Sequence, residues 1–116
     1  LSVRHLAIFA CLLAMTFATP VLAAQRVYEG KEAAALRCSN TIALTAVALS
    51  EAGLIGAAEK DVLLGVTALI LERHVSGTWR EKKAAMAVMR DRRSVPDTLE
   101  DYRRNAARCL QQFPIN

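Results

Sequence analysis

The chain has 116 residues, of which 53% are hydrophobic and 22% charged, so it allows one small domain and excludes a disordered or solvated tail. Five glycines and three prolines are too few for a collagen, a flexible linker or a run of tight β-turns. A net charge of +4 is basic, but short of the density of a dedicated nucleic-acid protein.

Residues 1–23 read as a secretory signal peptide that is cleaved off. Arg4 gives a short positive start, Leu6 to Phe17 is almost wholly apolar, and Pro20 ends the run. Val21 and Ala23 then stand where signal peptidase reads small or modest side chains, so cleavage is expected after Ala23, with Ala24 as the alternative. The apolar run is about a dozen residues against the ~20 that span a bilayer, so no permanent membrane span is expected once the leader is gone. The mature chain, 24–116, is expected to be a single helical domain. Its charge is uneven: 24–72 hold four basic and six acidic groups, 73–116 hold ten basic and five acidic.

Helical periodicity dominates that domain, with no sustained period-two alternation. A first helix is expected over about 31–52, with Leu36, Cys38, Ile42, Thr45 and Leu49 on its inward stripe, ending at Gly53. A second spans about 57–75. Its body, Val62 to Leu71, is apolar nearly all round, which marks it as the most buried helix. Gly77 then suits a turn with positive φ, and Thr78 with Glu81 forms a T-x-x-E capping box for a third helix over about 79–92. The run Ser94-Val95-Pro96-Asp97 reads as a break, with Asp97 capping a fourth helix over about 98–113. That helix places Leu99, Tyr102, Ala106, Cys109, Leu110 and Phe113 on one stripe.

Short connections favour antiparallel neighbours, so the expected fold is all-α, a small up-down-up-down four-helix bundle. Cys11 leaves with the leader, and Cys38 and Cys109 remain as an even pair in an exported chain. In the bundle both lie on inward stripes at matching heights, so a disulfide is expected to join the first helix to the last. Closing a loop of about 70 residues is worth roughly 4 kcal/mol on the chain-entropy model.

The chemistry expected is binding rather than catalysis. Residues 24–116 hold one histidine, His74, near a helix C-terminus whose dipole favours it, and no C-x-x-C-H, G-x-S-x-G or P-loop. Neither a metal nor a cofactor is expected. The strongest remaining signal is the basic second half: Arg80, Lys83, Arg90, Arg92 and Arg93 on or just after the third helix, and Arg103, Arg104 and Arg108 on the fourth. Should those helices be neighbours, the eight form one positive surface for an anionic envelope component or an acidic envelope protein. The competing interpretation of these charges is a solvated face with local pairs such as Glu100 with Arg104. Trp79 is the candidate interface aromatic, with plugging of the bundle's end as its alternative. The chain is thus expected to be a periplasmic or secreted interaction module, with nucleic acid disfavoured by export. In architecture alone it resembles small exported helical proteins with one disulfide, the acid-activated periplasmic chaperones among them, and that analogy makes a holdase the alternative.

Overall fold

The computed structural model describes residues 26–116, and the leader expected over 1–23 lies outside them. Those residues form four α-helices: α1 (Gly30–Glu51), α2 (Ala57–His74), α3 (Trp79–Asp91) and α4 (Val95–Gln112), with no strand among the described residues. α1 is the hub. α2, α3 and α4 each pack on it, and none builds a comparable face against another.

Local chemistry sets the ends. Gly77 adopts φ +95° between α2 and α3, a backbone conformation that L side chains rarely adopt. The Thr78 hydroxyl accepts from Glu81 N–H at 3.1 Å, and the Glu81 carboxylate accepts from Thr78 N–H at 2.9 Å, the reciprocal box the sequence predicts. α4 begins three residues earlier than expected. Ser94, not Asp97, is the N-cap, accepting from Asp97 N–H at 3.2 Å. Pro96 therefore lies inside the first turn, where its missing N–H would have had no partner anyway.

The most buried helix is α1 rather than α2. Ala35, Leu36, Cys38, Ile42 and Ala46 are buried along it, together with Ser39, Asn40, Thr41 and Thr45. Only Thr67, Ile70 and Leu71 are buried in α2, and its Val62 is 65% exposed. The reason is shape. Small Ala, Ser and Thr side chains let three helices approach α1 from different sides, whereas α2 has one partner. By length and composition α1 could cross a bilayer, but half of that stretch is buried within the protein. Leu110 is a second departure: it lies exposed, turned about 100° from Cys109, whose side chain faces α1.

Cys38 and Cys109 are joined, with Cα atoms 5.7 Å apart and 71 positions between them, so α4 is covalently fixed to α1. A bond of this kind belongs to an oxidising, non-cytoplasmic compartment. Phe113 closes the core beyond it. His74 meets the Phe113 ring edge-on at 5.4 Å and donates from Nε2 to the Pro114 carbonyl at 2.7 Å, which ties the C-terminal residues to the end of α2. Lys82 is buried, its Nζ donating to Leu71 O at 2.9 Å and lying 5.1 Å from the Trp79 ring centre. It is a second donor to a carbonyl that also accepts from Val75 N–H in the last turn of α2, where the helix dipole favours a cation.

Two stability measurements check this architecture. Replacing both cysteines, Cys38→Ser with Cys109→Ser, should lower the free energy of unfolding by about 4 kcal/mol in a urea titration. Thr45 is 1% exposed and its hydroxyl has no hydrogen-bond partner among the described residues. Thr45→Val should therefore raise stability by about 1 kcal/mol.

Candidate functional site

The eight basic residues singled out by the sequence fall into four groups. Arg103 and Arg104 are taken up by one carboxylate: Arg103 Nη2 and Arg104 Nε lie 2.6 and 2.7 Å from Glu100 Oε1. Arg90 pairs with Asp91 at 3.6 Å on the surface. Arg80, Lys83, Arg92 and Arg108 are exposed and make no ion pair among the described residues. Arg93 departs from its expected place on an open face. It is drawn inward, with Nη1 donating to Thr41 Oγ1 at 3.1 Å and Nη2 to Asp101 Oδ2 at 3.0 Å. α3 and α4 both pack on α1 and build no comparable face against each other. Trp79 is 46% exposed at the start of α3.

α1 and α3 run parallel. Glu32, near the start of α1, accepts from Ser76 N–H just ahead of α3, while Thr41, further along α1, accepts from Arg93 just beyond α3. The segment before α1 is fastened to the same α2–α3 turn: Tyr28 donates to Ser76 O at 2.8 Å and Arg26 to Ser76 Oγ at 2.6 Å. Glycine suits the turn here, because a φ of +95° strains any L side chain. A Cβ on Gly77 would lie 2.8 Å from Arg26 and 2.9 Å from the Tyr28 hydroxyl.

Between this segment, α1 and α3 lies a groove of about 490 Å³. Val27, Ala33, Leu36, Ala85, Val88 and Met89 give it an apolar lining, and Arg26, Arg37, Arg92 and Arg93 supply its polar edge. No carboxylate lines it among the described residues, nor does any His, Cys, Ser or Thr. Such a surface has the chemistry that suits anions and apolar groups, and the Tyr28 hydroxyl is its one uncharged polar side chain among the described residues. Arg26 and Arg37 belong to the acidic first half of the chain. Neither stands out in the sequence, since only the packing of α1 beside α3 carries them to Arg92 and Arg93.

A smaller cleft of about 270 Å³ lies between α1 and α4, lined by both disulfide cysteines, Arg37, Asp101, Asn105 and Arg108 among others. Asp101 organises this joint. Besides Arg93 it accepts from Thr41 Oγ1 at 2.9 Å and Asn105 Nδ2 at 2.7 Å, and Arg37 Nε lies 3.5 Å away. Burial pushes its carboxyl up, but the hydrogen bonds from Asn105, Thr41 and Arg93 and the charge of Arg37 prevail, holding it at about 2. Glu100 is also held at about 2, chiefly by its bonds from Arg103, then Arg104. Glu81 is lowered mainly by the Thr78 amide, and Glu32 by its bonds with Ser76. Burial raises the Tyr28 hydroxyl. No group of three or more His, Cys, Asp or Glu side chains that would hold a metal ion occurs among the described residues.

Comparison with protein-family models, with curated proteins and with solved structures finds no match.

Asp101 makes stability depend on acid. A depressed folded-state value means that its contribution is fully present above the ordinary 3.8 and is lost as pH falls through about 2. Thermal melts across that window should show the midpoint falling with pH, and Asp101→Asn should flatten the fall. At neutral pH the same variant should cost roughly 2 kcal/mol, from the loss of charge-assisted hydrogen bonds.

Proposed function

We propose that the protein is a small exported binding module, acting by contact rather than catalysis, which engages an anionic component of the cell envelope through the arginine-edged groove. The observation that carries the reading is the meeting of Arg26, Arg37, Arg92 and Arg93 over an apolar lining without a carboxylate. Guanidinium groups present planar, bidentate donors that suit phosphate and carboxylate. The disulfide supports export, and so does the pattern of residues 1–23, with periplasm or extracellular space as the destination. The remaining exposed cations, Arg80, Lys83 and Arg108, add long-range attraction for an anionic surface.

A holdase is the second reading, and it rests on a different observation. Leu54 is 72% exposed and Val62 65% exposed at the α1–α2 end of the molecule, an apolar presentation that suits unfolded clients. Suppression of client aggregation that is indifferent to salt would favour it over the groove.

Two measurements test the main reading together. Expressed with residues 1–23 in place, the chain should be recovered outside the cytoplasm, and mass spectrometry should find its N-terminus at Ala24. The processed protein should co-sediment with vesicles containing anionic lipid, not with neutral ones, and should be released as salt rises well beyond ~0.15 M, where screening acts over about 8 Å. Retention in the cytoplasm, or vesicle binding indifferent to lipid charge and salt, would overturn the reading.

A further inference from the structure

We infer that the groove between the N-terminal segment, α1 and α3 takes a single-chain amphiphile with an anionic headgroup, seated with the headgroup at Arg37, Arg92 and Arg93. The inference rests on the binding role proposed above and gives its site a ligand class.

The two ends of the groove differ in charge. At one end, Arg26 stands over the Tyr28 ring at 5.1 Å and 3.9 Å from Glu81, with Glu32 also acting on it, so its charge is largely met. At the other end, Arg37 and Arg93 share the single carboxylate of Asp101, and Arg92 has no acidic partner among the described residues. Cation is therefore in excess at that end. Each guanidinium carries five N–H donors, so Arg37 and Arg93 keep donors free after bonding to Asp101. Asp101 also fixes where Arg93 points, and a preordered donor loses less entropy when a ligand arrives.

The stretch between the ends is apolar. Val27 is 79% exposed there, and Ala85 and Met89 are only partly covered. A hydrated inorganic anion or a polymer without alkyl groups gains nothing from that surface. An alkyl chain gains with every methylene it removes from water, and Met89 is a side chain that adapts to an irregular neighbour. The volume, about 490 Å³, lies within the range of small-molecule sites. The α1–α4 cleft is the poorer seat for the same ligand, because the Asp101 carboxylate lines it and repels an anion.

The test uses the full processed protein in calorimetric titrations with dodecyl phosphate below its micelle concentration, with inorganic phosphate and dodecanol as the headgroup-only and tail-only arms. Dodecyl phosphate should bind saturably, one per chain, and more than about tenfold tighter than either control. Arg92→Glu and Val27→Asp alter exposed side chains and should leave the melting midpoint in place while weakening binding roughly tenfold each. Arg103→Glu, on α4, should leave binding unchanged. Inorganic phosphate binding as tightly as dodecyl phosphate would overturn the proposal. So would dodecyl phosphate binding that neither groove variant alters. Salt-sensitive binding to anionic vesicles that persists in either case would leave the broader reading standing, so the two failures are distinguishable.

Discussion

The structure depends on enclosing one helix within three. α1 carries most of the buried residues, and each neighbour reaches it through a different kind of contact. α4 is held by the Cys38–Cys109 bond and by Asp101, α3 by Arg93 on Thr41, and the α2–α3 turn by Glu32 on Ser76. A small core with only a handful of large side chains gains little from apolar burial alone, so a covalent link across a long loop matters more here than in a larger domain. The same arrangement leaves α1 with buried polar side chains, some of them unpartnered among the described residues, a cost that the surrounding contacts must offset.

Asp101 and the disulfide belong to one joint but serve it differently. The sulfur link limits how far α4 can separate from α1. The carboxylate, shared by Arg37, Thr41, Arg93 and Asn105, gathers side chains from α1, α4 and the end of α3 around one point. It compensates some of the positive charge from inside the fold without lining the groove beyond. That division leaves the anion within the fold and the cations at the groove's edge.

Much of the fold is legible in the chain because glycines and caps punctuate it. Gly53, Gly77 and the Thr78–Glu81 box bound the first three helices within about a residue, and the paired cysteines say which helices must meet. The start of the fourth is harder to read because Pro96 looks like a breaker until Ser94 is recognised as the cap. The burial of α2 is overstated by its sequence for a subtler reason: an apolar stretch shows that a helix could be covered, not that neighbours exist to cover it. The site is half legible. Arg92 and Arg93 stand out in a basic segment, whereas Arg37 sits inside an Ala- and Leu-rich helix more than fifty positions away, and only the parallel packing of α1 and α3 connects them.

Gly77 has a reach beyond its own turn. The N-terminal segment lies directly against it, with Arg26 and Tyr28 in the space that any side chain at 77 would claim. That segment is one wall of the groove. A larger amino acid in the α2–α3 connection would be strained at φ +95° and would displace the tips of Arg26 and Tyr28, whose bonds to Ser76 fasten that wall to the turn.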